Sequence, residues 1–215
     1  MRSRKVLDSP KGKAMTRTCA YLTTMVSMLF LGLMTFATAS QSEISLFPRR
    51  LFTWRDAAII VVALVLKLSV GLVRLRQGRV FARTENLAPR TPRERVLAIL
   101  LAAEAGVIEE CTYRGVAFVL LTWYTGSAWF GALLSATAFG LAHLLQGNRA
   151  AFVAGLHGLA DQAVVALTGY LYPAMVVHFL YDVILAGAIA ARAQRREVQD
   201  STTVVERPEV EQPDF

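Results

Sequence analysis

The sequence predicts an all-α fold, a polytopic transmembrane bundle of about six helices. Three observations predict it. The chain has 215 residues of which 54% are hydrophobic, and its mean hydropathy is +0.43. Soluble domains of this length are rarely so apolar. The apolar residues fall into runs long enough to cross a hydrocarbon core, which a soluble core does not require. The formal charge of +7 is unevenly spread, with six basic residues in 1–17 and seven arginines in 74–95. Only seven charged side chains occupy 96–191: Glu104, Glu109, Glu110, Arg114, Arg149, Asp161 and Asp182.

The first span is 19–39, Cys19 to Ala39. The second is about 57–73, with Lys67 near its end and able to snorkel. The third runs from about Val96 to Tyr124, the fourth from about 127 to 145, the fifth from about 150 to 168 and the sixth from about 171 to 191. The later connections are short: Thr125-Gly126, Gln146-Gly147-Asn148 and Gly169-Tyr170. Short loops imply antiparallel neighbours in one bundle. The chain divides into a basic N-terminus (1–18), two spans with a basic loop (19–94), a membrane core (95–191) and a C-terminal tail (192–215). From 197 the tail is acidic, contains proline and lacks apolar periodicity, so it is expected to be disordered.

The basic clusters set an orientation. Residues 1–17, 74–95 and Arg192, Arg195 and Arg196 fall on one side of a six-span chain, so both termini are expected in the cytoplasm. Arg49, Arg50 and Arg55 in the opposite loop weaken the contrast. A rival reading makes the first segment a cleaved signal peptide ending at Ala37-Thr38-Ala39, although its apolar stretch is long for one. The basic clusters lack interleaved aromatics, so no nucleic-acid partner is expected. Membrane lipid is. Cys19 and Cys111 lie far apart and form no metal or redox pattern. Cys111 stands beside acids that disfavour a thiolate, which argues against a nucleophile.

Ionisable groups within membrane segments are costly and are functional candidates. They form three sets: Glu109-Glu110 with Arg114, Phe139 with His143, and His178 with Asp182. Glu110 and Arg114 are four apart in the order that favours an ion pair. Glu109 points about 100° away from Glu110 and shares its face with Tyr113. One glutamate can therefore be structural while the other faces a cavity and acts as a general base. Asp182, one turn from His178, can hold an imidazole tautomer. Taken singly, each set has an ordinary reading: an ion pair, an interfacial histidine over a packing phenylalanine, a hydrogen bond. Their coincidence in one short bundle points to a site of Glu109, His143 and His178. His157 and Asp161 repeat the four-residue spacing and read as a satisfied structural pair.

Depth raises a difficulty. Glu109 and His178 each lie about 20 Å into their spans, whereas His143 stands within one turn of a helix end.

These motifs resemble those of the CPBP family, the CAAX-protease and bacteriocin-processing intramembrane peptidases. That family shows E-E-x-x-x-R, F-x-x-x-H and H-x-x-x-N or H-x-x-x-D on successive membrane helices. Here they are Glu109-Glu110…Arg114, Phe139…His143 and His178…Asp182, within about 95–191. The resemblance implies peptide-bond hydrolysis in the membrane, of a lipidated or transmembrane protein or of a peptide. It gives Glu109 and His143 the attacking water. It gives His178 and Asp182 the scissile carbonyl, and Glu110 and Arg114 the organisation of the site. Asp182 stands where the family also has Asn, and an ionised Asp cannot donate to an oxyanion, so orienting His178 is its expected role.

The family is often labelled metalloprotease. The chain lacks H-E-x-x-H. Glu109, His143 and His178 could still hold zinc, since three ligands and a water suffice. A metal-free glutamate mechanism is favoured, because the base would otherwise have to be Glu110. Two other functions remain open: a transporter or proton relay, and a non-catalytic immunity protein of the same fold.

Overall fold

A computed structural model describes residues 10–77 and 86–205. They form helices joined by short turns: α1 (Pro10–Gln41), α2 (Trp54–Arg76), α3 (Pro92–Glu109), a π-helical stretch (Glu110–Ala117), α4 (Phe118–Thr125), α5 (Ala128–Ala142), a 3-10 turn (Leu144–Gln146), α6 (Asn148–Thr168) and α7 (Tyr172–Val205). The third expected span is thus one rod from Pro92 to Thr125 with a π-helical middle.

Local chemistry explains the helix ends. Thr53 with Asp56 and Thr91 with Glu94 form reciprocal capping boxes at the starts of α2 and α3, satisfying backbone N–H groups that a helix start leaves open. Gly126 and Gly169 end α4 and α6 at φ 67° and 82°, a left-handed backbone that glycine enters without a Cβ penalty.

Packing is inverted relative to a soluble protein. Val26, Leu29, Phe30 and Leu33 on α1 and Val61, Val62, Val65 and Leu66 on α2 are exposed. Lys67, Glu109, Glu110, Arg114, Asp161 and His178 are buried. Four helices are long and apolar enough to cross a membrane: Met15–Gln41, Trp54–Arg76, Asn148–Thr168 and Tyr172–Arg196. Apolar surface outside and charge inside suit a bilayer, which hides the first and cannot solvate the second. The fold is an all-α membrane helix bundle.

Helix crossings use small residues, as membrane bundles do. A Cβ on Gly140 would meet the Ala151 carbonyl at 2.7 Å and the Gly155 backbone at 3.3 Å, so α5 and α6 touch backbone to backbone. Cys111 is fully buried, packed with Ala39, Leu46, Val116, Leu171 and Met175.

Three expectations need correction. Lys67 does not snorkel: it is 5% exposed, because a carboxylate on α6 reaches it. Asp161 does not pair with His157. It receives Lys67 Nζ at 2.8 Å on both oxygens, while His157 Nε2 has no hydrogen-bond partner and its ring lies edge-on to Tyr181 at 4.8 Å. An ammonium buried beside Asp161 satisfies the carboxylate better than a neutral imidazole would. The tail (192–215), expected to be disordered from 197, continues α7 as far as Val205; 206–215 lie outside the described residues.

Candidate active site

The three motifs meet on one cavity wall. Glu109 ends α3. Glu110 and Arg114 follow in the π-helical stretch, Phe139 and His143 lie at the end of α5, and His178 and Asp182 lie on α7. π-helical turns recur at functional sites because they re-aim side chains within an otherwise regular helix. Here the stretch is pinned from two sides. Thr112 and Thr35 of α1 are linked hydroxyl to hydroxyl at 2.7 Å, and Ser135 of α5 donates to the Tyr113 carbonyl at 2.5 Å.

His178 is the centre of the arrangement. Its Nδ1 lies 2.7 Å from Glu110 Oε1. Its Nε2 lies 3.5 Å from Glu109 Oε2 and 3.5 Å from Asp182 Oδ2. An ionised carboxylate only accepts, so Nδ1 carries the proton it donates to Glu110. Glu110 thus stands at hydrogen-bond distance from His178, while Asp182, one turn away on α7, is farther and 38% exposed. Glu110 also holds Arg114 Nη1 at 3.2 Å, so the expected glutamate–arginine pair forms and carries a second partner.

Phe139 does more than fill space. The Arg114 guanidinium carbon sits 4.3 Å from its ring centre, and the rings of Tyr113, His143 and His178 lie edge-on at 5.0, 4.6 and 6.1 Å. His143 caps α5, and its Nδ1 lies 2.9 Å from the Phe139 carbonyl. Side chains lean toward a helix N-terminus, so the ring turns back along α5 onto the site although its backbone stands at the helix end. That geometry answers the depth difficulty. Since a carbonyl only accepts, His143 keeps its proton on Nδ1 and turns an Nε2 lone pair outward.

Glu109, His143, His178 and Asp182 line a cavity of about 440 Å³. Lys67, His157 and Asp161 also reach it, and much of the remaining wall is apolar, with Met28 of α1, Leu101 and Ala105 of α3, and Leu185 and Ile189 of α7. Buried acid–base groups thus border a space whose apolar part suits an apolar chain.

Among the described residues, the group whose donor atoms all lie within 4.8 Å is Glu110, Asp161 and His178. His143 falls outside it, so the set Glu109, His143 and His178 is not drawn together as a metal cage. The Glu110 and Asp161 carboxylates face Arg114 and Lys67. A divalent ion there would meet two fixed cations, so this set does not fit a metal.

Residues 91–184 match the family model described as Type II CAAX prenyl endopeptidase Rce1-like. This stretch is similar to that family. The Rce1-like segment begins at the α3 capping box, carries all three motifs and ends two residues after Asp182. That family is one of proteases; α1 and α2 lie outside the match. No curated protein and no solved structure matches the chain.

Sequence reasoning missed Lys67, Asp161 and the Glu110–His178 contact. The signal for the first two was present: an unpaired lysine in one span and an aspartate in another ask for each other, since each alone is costly in lipid.

Proposed function

We propose that the chain is a multi-pass intramembrane endopeptidase, with both termini cytoplasmic, in which Glu109 activates water to cleave a membrane-associated protein or peptide. One observation carries the reading: a single imidazole, His178, is held by Glu110 through one nitrogen and faces Glu109 and Asp182 through the other, at the wall of an apolar cavity.

The proton positions give each residue a task. A water between Glu109 and His143 Nε2 meets two acceptors. Its two protons point at them and its lone pair faces outward, toward a substrate carbonyl. Glu109 takes one proton as the oxygen–carbon bond forms. The oxyanion then needs donors aimed at it. With Nδ1–H committed to Glu110, His178 donates through Nε2 when its ring is doubly protonated. Glu109 then returns the proton to the leaving amine as the carbon–nitrogen bond breaks. Asp182 and Glu110 balance the imidazolium, and Arg114 fixes Glu110. No metal is assigned, because the close donor set is already matched with Lys67 and Arg114.

The cavity supports an apolar substrate. The peptide would lie along Glu109 and His178, with a lipid chain or transmembrane segment against Leu101, Leu185 and Ile189. CAAX-type processing, sorting-tag removal and peptide maturation are all compatible with it.

The test is reconstitution of the purified protein in vesicles with prenylated, tag-bearing and plain transmembrane reporter peptides, read by mass spectrometry. A new C-terminus on one class, formed equally with and without a chelator, is expected. Proton flux without cleavage would replace the peptidase with a transporter, and chelator-sensitive cleavage restored by zinc would overturn the metal-free mechanism.

A further inference from the structure

Lys67 belongs to none of the three motifs and lies outside 91–184. It is nevertheless wired to the site. Its Nζ is 2.8 Å from both Asp161 oxygens. Asp161 Oδ2 is 3.5 Å from Arg114 Nη2. Arg114 Nη1 is 3.2 Å from Glu110 Oε1, and that same oxygen accepts from His178 Nδ1 at 2.7 Å. A continuous line of buried charges thus runs from the middle of α2, through α6 and the π-helical stretch, to the imidazole that faces Glu109.

The line contains two cations, Lys67 and Arg114, and two anions, Asp161 and Glu110, so their charges cancel. Removing one buried partner leaves the other uncompensated, which is strongly unfavourable in a low dielectric. Without Lys67, the one cation among the described residues that touches Asp161 is Arg114, already bridging toward it. Arg114 would be drawn from Glu110 toward Asp161, and the oxygen that holds His178 would lose its guanidinium.

We propose that Lys67 is a positioning residue: by neutralising Asp161 it leaves Arg114 on Glu110, and so keeps His178 held through Nδ1 with Nε2 turned to Glu109. The kinetic part rests on the peptidase reading; the geometric part does not. α2 then does more than shield the family-type core, since it supplies the charge that sets that core's proton geometry.

The test compares full-length wild type, Lys67→Met and Lys67→Met/Asp161→Asn. Two readouts are taken: cleavage kinetics in vesicles, and ¹⁵N NMR of histidine-labelled protein in detergent. The chain has three histidines, so His178 is assignable by single substitutions. In wild type, His178 Nδ1 is expected to carry a proton. In Lys67→Met that signature should give way to a mixture of ring states, with kcat lowered about thirtyfold and KM little changed, as expected when a catalytic geometry is loosened. The double variant removes both charges and should recover the signature, with kcat within about threefold of wild type, because neutralising both partners leaves no orphaned ion. A folded Lys67→Met protein with the wild-type His178 signature would make the pair merely structural and overturn the proposal, as would a double variant no better than the single one. If wild type cleaves nothing while the His178 signature still follows Lys67, the peptidase reading falls and the positioning role stands.

Discussion

His178 Nδ1 and Glu110 Oε1 lie 2.7 Å apart across the boundary between α7 and the π-helical stretch, with the two side chains 8% and 0% exposed. Glu110 therefore has two cationic or donor partners, His178 and Arg114, on a single oxygen. A charge-assisted bond of this length fixes both the tautomer and the plane of the ring.

Glu110→Gln should separate orientation from base chemistry. It keeps the shape, but its amide no longer balances Arg114. Cleavage should fall about a hundredfold through misplacement of His178, and stability should fall by about 3 kcal/mol because Arg114 is left buried without a counter-charge. Denaturant unfolding in detergent, run beside the cleavage assay, checks both.

Much of the fold was legible because a bilayer forces its requirements into composition. Apolar runs marked the spans, and Gly126 and Gly169 marked two of the turns. The Glu110–Arg114 pair was legible because four-residue spacing is local. The same local rule misassigned Asp161, whose partner Lys67 lies 94 residues away on another helix, and it gave His178 to Asp182 when Glu110, 68 residues away, is closer. The π-helical stretch left no trace, because no proline marks it and a slip in backbone hydrogen bonding does not alter the side-chain pattern. The end of α7 was missed because polar, acidic residues beyond the membrane also form helix when a long apolar helix precedes them.

Backbone contact between α5 and α6 sets where His143 stands. Gly140→Ala would place a methyl 2.7 Å from the Ala151 carbonyl. Pushing the helices apart should cost about 1–3 kcal/mol, the usual range for overpacking, and should slow cleavage by shifting His143. Gly187→Ala, where no atom lies within 4 Å of the added Cβ, should leave both unchanged. Paired thermal melts and activity assays check the contrast.

Glu94 precedes the apolar part of α3 and gives stability a pH dependence. Burial pushes its carboxyl up, but the backbone N–H of Arg90, the Arg17 guanidinium and the Thr91 N–H together hold it below its ordinary value of 4.5. A carboxylate depressed in the folded state stabilises it fully above the ordinary value and loses that contribution as pH falls through the folded value. Wild type should therefore melt higher than Glu94→Gln at pH 7, and the gap should shrink only below about pH 4.5, where the unfolded carboxyl begins to protonate. Melting curves of both proteins from pH 7 to pH 3 check the sign.

The most direct measurement compares single-turnover cleavage by Glu109→Gln and Glu104→Gln in vesicles. Both glutamates lie on α3, but only Glu109 lines the cavity, while Glu104 has buried oxygens without a hydrogen-bond partner. Loss of a general base should slow Glu109→Gln about a thousandfold, with Glu104→Gln near wild type. A Glu109→Gln protein that cleaves at the wild-type rate would contradict the assignment of Glu109 as the base.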